Sequence, residues 1–417
     1  MNKKTAIVLG GTSPHIALIQ KLKDRGYFTI LIDYLDNPPA KQAADLHIQE
    51  STLDNDAVYR VAKEYDADLV MSACVDQANI TACYVAEKLG LPHPYSFELA
   101  SNITNKGYMK RVMFDNDIPT SKYIYLEPDQ ELPDIDLHYP VMVKPADSCA
   151  ASGIKKAVGE AEMLRFYSEA KKISRNGRVV IEEFVKGDEV SVYSFVSHGK
   201  AEIIMISQRM SVIEGQDQVI KCYATLAPAP ISKIVFEKIQ SCCTKIANAF
   251  GLDNTPLHVQ VMIDKDEIEI IEIAPRAGGG VSYQTIKSNT GFDILEATID
   301  SYLQVPVKVH YGEPKYYYAV NILYGIPCVF GHVDGEDELM ANDIIESFHY
   351  HKTKGMKITS DRASGGRIAA AVVKGKTKEE LLSKIKFMMK KIEAYDDKGN
   401  PVLRKDLYLR DFRDLSN

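Results

Sequence analysis

The sequence predicts an α/β region followed by α+β structure, and two observations lead to this fold class. Residues 5–95 alternate short apolar runs with amphipathic stretches, a rhythm typical of a doubly wound parallel sheet. From about residue 97 onward, strands follow one another around tight turns and fewer helices intervene. The length of 417 residues allows several cores, and we expect domains over residues 1–96, 97–308 and 309–417.

The first predicted domain is a Rossmann-like parallel sheet. Its predicted strands and helices alternate along the chain: strands 5–9, 29–33 and 69–73, and helices 16–25, 56–65 and 79–89. Gly10 and Gly11 follow the first strand as a candidate phosphate-binding turn, but they lack the G-x-G-x-x-G spacing of a dinucleotide site. An NAD-dependent oxidoreductase is therefore the weaker hypothesis for this domain.

The remaining elements are predicted from the same periodicities. In the central region the helices are 105–115, 160–174, 231–250 and 293–303, and the strands are 139–144, 178–185, 189–197, 201–207, 257–264 and 268–274. The last region is predicted as an α+β cap, with strands 319–324 and 367–374 and a helix at 378–392.

Composition excludes several function classes. A net charge of −7 and a pI near 5.9 oppose nucleic-acid binding, which normally requires a basic stripe. No apolar run approaches the length of a membrane span, so no membrane partner is expected. The seven cysteines are scattered without a C-x-x-C pair, which favours a reduced, cytoplasmic protein without a zinc framework.

Basic and acidic residues lie beside predicted strand ends and loops. Lys106 stands in the run N-K-G-Y-M-K, and Lys144 ends the apolar run P-V-M-V-K. A loop of small residues at 147–153 follows Lys144, and the run E-E-F-V at 182–185 ends the next strand. Two lysines beside such a loop suit polyphosphate, because their charges offset those of a nucleotide held out of bulk water.

A hairpin later in the chain adds the complementary groups. Its second strand carries Glu272 and stops at Pro275, and Arg276 and a glycine run follow in I-E-I-A-P-R-A-G-G-G. A carboxylate at a strand end suits a divalent cation, and a planar guanidinium suits a reactive oxyanion.

In this order and spacing the motifs make residues 100–300 resemble the ATP-grasp superfamily. The region before them resembles the small domain that precedes it in such enzymes, and the last region resembles their C-terminal piece, so the resemblance covers essentially the whole chain. It implies ATP and Mg²⁺ (or Mn²⁺) as cofactors. It also implies a central domain of two α+β subdomains, with a lid at about 115–180.

The resemblance assigns roles residue by residue. The implied nucleotide contacts are Lys106, Lys144, Ser148, Ser152, Gly153, Glu182, Phe184, Val185 and Glu189. Glu182 is the expected partner of the adenine amino group, and backbone groups of Phe184 and Val185 read the adenine edge. Arg276 is expected to grip the transferred phosphate and, with Lys144, to be catalytic.

Glu272 and Gln260 are the implied metal ligands. Gln260 stands where most members of the family place a second carboxylate, and its amide oxygen brings less charge to the metal. Glu269 is a poor substitute, because strand alternation predicts that it points away from the face of Glu272. Either one metal site is weaker, or Glu272 bridges both metal ions and the phosphates supply the remaining ligands.

The implied reaction joins a carboxylate to an amine through an acyl phosphate, with an amino acid or similar small carboxylate as donor. His258, Gly279 and Arg367 are the candidate substrate contacts, small-molecule carboxylates and amines are the expected partners, and a homodimer is among the expected assemblies. Two alternatives stay open. One is a carboxylating ligase similar to biotin carboxylase or to the aminoimidazole ribonucleotide carboxylating enzymes. The other, motivated by Gln260, is a nucleotide-binding module without turnover.

Overall fold

The structure is a computed structural model that describes residues 3–130, 132–133, 136–148, 152–215, 218–360 and 363–408. Three members of the predicted phosphate loop, Cys149, Ala150 and Ala151, lie outside the described residues. The flanking residues Ser148, Ser152 and Gly153 lie within them.

The N-terminal region is a four-stranded parallel sheet in the order β3-β2-β1-β4. Its elements are β1 (Thr5–Leu9), α1 (Ser13–Asp24), β2 (Phe28–Asp33), β3 (Leu46–Gln49), α2 (Asn55–Glu64), β4 (Leu69–Met71) and α3 (Asp76–Leu89). The strands β1, β2 and β4 are almost fully buried, because helices and neighbouring loops cover both faces. Their carboxyl ends meet at one edge, where Gly11, Asp33 and Asp76 line a cavity.

A second, antiparallel sheet has the strand order β5-β8-β6-β7. It follows two helices, and the elements of this region are α4 (Phe97–Thr104), α5 (Lys106–Asp115), β5 (Tyr123–Leu126), β6 (Val141–Pro145), β7 (Lys155–Ala157), α6 (Glu160–Ile173) and β8 (Val179–Glu183). Asn105 caps α5 by accepting hydrogen bonds from the N–H groups of Gly107 and Tyr108. The cap fixes where α5 starts, and therefore where Lys106 stands.

The central region supplies a long antiparallel run of strands and three helices. Its elements are β9 (Asp188–Ser197), β10 (Lys200–Glu214), β11 (Val219–Ala227), α7 (Lys233–Ala249), β12 (Thr255–Asp264), β13 (Glu267–Ala274), α8 (Ser282–Thr290) and α9 (Ile294–Tyr302). Helix α7 packs its apolar face onto β10 and β13, burying Ile239, Cys243 and Ile246 in one core with Val259.

The last region both extends the central sheet and adds a small one. Its elements are β14 (Tyr317–Tyr324), β15 (Cys328–Asp334), α10 (Glu336–Ala341), β16 (Ser347–Tyr350), β17 (Lys357–Ile358), α11 (Ala363–Gly366), β18 (Arg367–Gly375), α12 (Lys378–Lys391) and β19 (Glu393–Asp396). The eight-stranded sheet has the order β13-β12-β9-β10-β11-β14-β18-β16, and β17-β15-β19 form the three-stranded one. The sheet crosses the predicted boundary at 308/309, so the three-domain division remains a prediction.

An irregularity in β13 changes which side chains share a face. Gln260 pairs with Glu272, but the next residue of β12, Val261, pairs with Ile270, so Ile271 is an extra residue in a β-bulge. Ile270 and Ile273 consequently point into the same core although they are three residues apart.

The bulge overturns one prediction. Glu269 and Glu272 lie on the same face of β13, opposite that core, whereas regular alternation predicted opposite faces. The prediction was wrong because strand periodicity holds only where no residue is inserted into the ladder.

The predicted fold class is confirmed: a parallel α/β sheet precedes a large antiparallel α+β structure. Sequence periodicity ended β10 too early and missed several elements: β3, α4, β5, β7, β11, α8, β15, α10, β16, β17, α11 and β19. Over the part of the chain that the structure describes, no helix combines the length and apolar character needed to cross a bilayer.

Candidate active site

A cavity of about 880 Å³ opens where the N-terminal sheet edge, the strand β8 and the eight-stranded sheet meet. Most of the predicted site residues line it: Lys106, Lys144, Glu182, Phe184, Val185, Glu189, His258, Gln260, Glu272, Arg276, Gly279 and Arg367. The loop residues Ser148, Ser152 and Gly153 are described but do not line it. The fold thus brings together residues that are more than 250 positions apart in the chain.

We distinguish two walls of this cavity. The nucleotide wall is lined by Lys106, Lys144, Glu182, Glu189 and Glu272. The C-terminal wall is lined by Tyr318, Val320, His351, Arg367 and Ala370.

Lys106 is held at the nucleotide wall from both its backbone and its side chain. Its N–H donates to the carbonyl of Ala146 at 3.1 Å, which ties the start of α5 to the end of β6. Its Nζ donates to the carbonyl of Ser148 and lies 3.6 Å from Oε1 of Glu272. The first predicted lysine therefore bridges the predicted phosphate loop and the predicted metal ligand.

Lys144 and Glu182 form a buried ion pair on neighbouring strands. Glu182 also lies 2.6 Å from Nζ of Lys110 and accepts a 3.2 Å hydrogen bond from Ser121. Burial alone would raise the pKa of Glu182, but the charges of Lys144 and Lys110 outweigh it and hold that pKa at about 2. The adenine contact predicted for Glu182 remains a prediction, and adenine would share this carboxylate with two lysines.

The segment after β8 presents backbone groups to the cavity. The N–H of Phe184 donates to the carbonyl of Pro140 at 3.0 Å, so only its carbonyl is left for a ligand edge. Nζ of Lys156 lies 3.7 Å from the centre of the Phe184 ring, a cation–π contact that fixes the ring. The predicted recognition of the adenine edge by backbone groups thus depends on the carbonyl of Phe184 and on the backbone of Val185.

Glu189, the predicted ribose acid, is paired with an arginine that the sequence prediction missed. Its Oε1 lies 2.8 Å from Nε of Arg209, which also lines the cavity. The predicted strand ended at residue 207, whereas β10 continues to Glu214 and carries Arg209 into the site. Alternation of Ser207, Arg209 and Ser211 on one face was the signal that could have identified it.

Gln260 and Glu272 are direct cross-strand neighbours, and both line the cavity. Within the described residues no group of three His, Cys, Asp or Glu side chains is arranged to hold a metal by itself. A carboxylate and an amide oxygen nevertheless fit Mg²⁺ in a nucleotide site, because Mg²⁺ keeps waters and phosphate oxygens in most of its positions. Glu272 and Gln260 are therefore the residues that would hold the metal.

Arg276 is clamped by an aspartate from the N-terminal sheet edge. Its Nε and one terminal nitrogen donate to the two oxygens of Asp76 at 2.7 and 2.9 Å, and its other terminal nitrogen donates to the carbonyl of Ala277 at 2.8 Å. Burial would raise the pKa of Asp76, but the charge of Arg276 dominates and lowers it. Sequence motifs did not reveal Asp76, because its partner is 200 residues away.

His258 packs beside Tyr193 with a ring-centre distance of 5.3 Å. Burial, together with the charges of Arg276 and Arg209, lowers the pKa of His258 to about 3. The ring is therefore neutral near pH 7 and can offer a hydrogen bond but no charge.

Arg367 differs from the other cations of the cavity. Lys106, Lys144, Arg209 and Arg276 each lie within ion-pair distance of a carboxylate. Arg367 donates from Nε to the Tyr324 hydroxyl at 3.2 Å, and among the described residues it has no acidic ion-pair partner. Burial and the charge of Arg367 lower the pKa of neighbouring His351 to about 3, which leaves His351 neutral beside it.

Comparison with known proteins bears on this geometry. Residues 137–285 match the model of the ATP-grasp domain family. This chain contains an ATP-grasp domain. The matched residues include Lys144, Glu182, Glu189, Gln260 and Glu272, which form much of the cavity.

Two further proteins are similar to this chain beyond the matched domain. A formate-dependent phosphoribosylglycinamide formyltransferase of Sulfurisphaera tokodaii is 22% identical over 281 residues, which cover 66% of this chain and 70% of the relative. An L-amino acid ligase structure from Bacillus licheniformis superposes with a TM-score of 0.77 at 18% identity, covering 95% of this chain and 100% of the other.

A third relative was solved with nucleotide. The biotin carboxylase domain of a Hydrogenobacter thermophilus 2-oxoglutarate carboxylase, in complex with MgADP, ADP and bicarbonate, superposes with a TM-score of 0.75 at 16% identity. The alignment covers 100% of this chain and 96% of that one. The family match and the formyltransferase relative confirm the predictions of an ATP-grasp enzyme and of ATP with Mg²⁺ as its cofactors, and the two solved structures agree in fold. The roles of individual residues stay predictions.

Proposed function

We propose that this protein is an ATP- and Mg²⁺-dependent ligase that joins a carboxylate to an amine. The main support is that the neighbours Gln260 and Glu272 share one cavity with Lys144 and Arg276. This set combines metal ligands with cations that stabilise a phosphoryl group during its transfer. The described cavity presents no activated nucleophile of the Ser-His or Cys-His kind, so the substrates themselves supply the nucleophiles.

The proposed reaction has two steps. A substrate carboxylate oxygen attacks the γ-phosphorus of ATP, the bond to the bridging oxygen breaks, and ADP leaves with that electron pair. The amine nitrogen then attacks the acyl carbon, an amide bond forms, and inorganic phosphate leaves while the nitrogen loses a proton. Mg²⁺, when bound, would neutralise charge on the phosphate oxygens.

The chain contributes positioning and charge to both steps. Lys144 would stabilise the negative oxygens of the transferred group, and Arg276, held in one orientation by Asp76, would fix the reacting anion. Neutral His258 would add a hydrogen bond without competing for the anion. A pre-oriented guanidinium loses little freedom on binding, which favours the transition state over the free substrate.

The C-terminal wall favours an amine substrate that carries an anion of its own. Arg367 offers a cation without a described acidic partner, and Tyr318, Val320 and Ala370 offer apolar surface beside it. A half-buried cation gains most from a ligand anion when no protein carboxylate competes for it. An α-amino acid, with a carboxylate for Arg367 and a side chain for the apolar surface, suits this wall.

The test is release of ADP from Mg·ATP by the purified full chain, measured over a panel of amino acids, hydroxy acids and bicarbonate. Hydroxylamine in the same reactions traps an acyl phosphate as a hydroxamate. We expect ADP release that requires a carboxylate and, with hydroxylamine, a hydroxamate of that carboxylate. ATP binding without ADP release over the whole panel would contradict the proposal and favour a nucleotide-binding module without turnover.

A carboxylating ligase is the second candidate. A biotin carboxylase domain solved with bicarbonate shares the fold of this chain at 16% identity, and the same cavity groups could serve bicarbonate as the carboxylate. Labelled bicarbonate distinguishes the two candidates. ADP release that depends on bicarbonate and fixes label into an acceptor would replace the first proposal by the second.

A further inference from the structure

Glu182 has a cation on each side of its carboxylate. Its Oε1 contacts Nζ of Lys144, which lines the cavity, and its Oε2 lies 2.6 Å from Nζ of Lys110. The side chains of Glu182 and Lys110 are only 2% and 1% exposed. The three groups therefore form a buried row that ends at the nucleotide wall.

Lys110 lies at the inner end of this row. Its Nζ donates to the hydroxyls of Thr120 at 2.8 Å and Ser121 at 2.9 Å, and the Glu182 carboxylate takes its third hydrogen. Thr120 is itself anchored by donating to the carbonyl of Ile270 at 3.0 Å. Lys110 does not line the cavity, so it reaches a bound nucleotide only through Glu182 and Lys144.

Binding of a nucleotide creates a conflict for Lys144. Phosphate oxygens attract its ammonium away from Glu182, and a buried carboxylate that loses its counter-ion is strongly destabilised. The surrounding groups do not relieve this conflict: Ser121 donates one neutral hydrogen bond, and Glu269 on β13 adds a further negative charge near Lys110. A second cation that stays beside Glu182 when Lys144 moves removes the penalty.

We propose that Lys110 is a positioning residue of the nucleotide site. It keeps the Glu182 carboxylate compensated, so that Lys144 can leave that carboxylate for the phosphates. Lys110 thereby sets the affinity for nucleotide without touching it. The inference rests on the nucleotide role of Lys144, which is part of the proposed function, but it involves neither the carboxylate nor the amine substrate.

The test measures the dissociation constant of Mg·ATP by calorimetry on the purified full chain. In Lys110→Met we expect it to rise by about 10- to 100-fold, because Lys144 becomes the last counter-ion of Glu182. Adding Glu182→Gln removes the buried charge that Lys110 compensates. The double variant Lys110→Met/Glu182→Gln should therefore bind within about threefold of Glu182→Gln alone.

This rescue separates positioning from a structural role. Loss of packing at Lys110 would weaken binding equally with Glu182 or Gln at position 182. Lys110→Gln keeps a polar side chain near Thr120 and Ser121 while removing the charge, so it serves if Lys110→Met does not fold. Lys122→Met is the matched control, because Lys122 follows Ser121 but its side chain is 51% exposed and pairs with Asp136.

Two results overturn the inference. One is a folded Lys110→Met or Lys110→Gln variant that binds Mg·ATP as the wild type does. The other is a double variant whose dissociation constant exceeds that of Glu182→Gln by the same factor by which the constant of Lys110→Met exceeds the wild-type value. Lys144→Met in the same assay isolates the underlying assumption. Wild-type affinity there would refute the nucleotide role of Lys144 itself, whereas weak binding there with wild-type affinity in Lys110→Met refutes only the inference.

Discussion

The two walls of the cavity differ in how their charges are balanced. On the nucleotide wall, Lys106, Lys144 and Glu189 each have an oppositely charged protein partner. On the C-terminal wall, Arg367 faces a tyrosine hydroxyl and a neutral histidine. On the nucleotide wall, the lysines can exchange their protein carboxylates for the phosphates of a nucleotide. On the C-terminal wall, Arg367 is left to be neutralised by an anion of the substrate.

The largest expected effect tests the nucleotide wall. Glu272→Gln replaces the one carboxylate of the metal pair by an amide, and we expect the rate of ADP release to fall by about 10²- to 10³-fold or more. Glu267→Gln is the control, because Glu267 lies on the same strand and is exposed. Equal loss in both variants would point to a damaged strand, and full activity of Glu272→Gln would remove this residue from the metal site.

The clamp on Arg276 comes next. Asp76→Asn keeps the shape of the partner but removes its charge, so the guanidinium is held less firmly, and we expect kcat to fall by about 10- to 100-fold with little change in the dissociation constant of ATP. Steady-state kinetics and calorimetry measure these two quantities. Asp56→Asn is the control, because Asp56 is an exposed acid in the first turn of the neighbouring α2. A lower ATP affinity with unchanged kcat would place Arg276 among the nucleotide contacts instead.

A moderate effect is expected from the C-terminal wall. Arg367→Met removes the unbalanced cation, and we expect the KM of the amine substrate to rise about tenfold while the KM of ATP stays within about twofold. Lys376→Met changes an exposed lysine of the same region as control. If both KM values rose together, the contrast between the walls would be lost.

The smallest effect concerns stability and pH. Burial lowers the pKa of His258 to about 3 from an ordinary 6.5, so below pH 6.5 the unfolded chain binds a proton that the folded chain does not. Above pH 6.5 the neutral His258 therefore costs no free energy of unfolding. As the pH falls from 6.5 toward 3, protonation of the unfolded chain lowers the free energy of unfolding. We expect His258→Gln to flatten the slope of unfolding free energy against pH by up to about 1.4 kcal/mol per pH unit. Exposed His332→Gln should leave the slope unchanged.

Local patterns predicted much of the fold. Strand β1 was predicted with its observed bounds, and α5, α6 and α12 began or ended within about a residue of their observed ends. Strand β11 was not predicted because its sequence mixes small, charged and aromatic residues and shows no regular alternation. The continuation of the central sheet into β14 and β18 could not be predicted, since strand order is decided by contacts distant in sequence.

The candidate site was predictable in its residues and not in their partners. Lys106, Lys144, Glu272 and Arg276 follow local motifs, whereas Asp76, Arg209 and Lys110 are identified only by what the fold places beside them. Lys110 stands one helical turn after Lys106, so its position on the same helix face was readable. The pairing of Lys110 with Glu182 required the tertiary structure.

The bulge at Ile271 has a consequence for how the length of this strand can vary. Deleting Ile271 would restore simple alternation and still leave Glu269 and Glu272 on one face, with Ile270 and Ile273 on the other. Deleting Ile270 gives the same sequence, because both positions are isoleucine, whereas deleting Glu269 would remove that acid from the face. The bulge is thus a point in this hairpin where the strand can lose one residue and keep Glu272 beside Gln260 at the cavity.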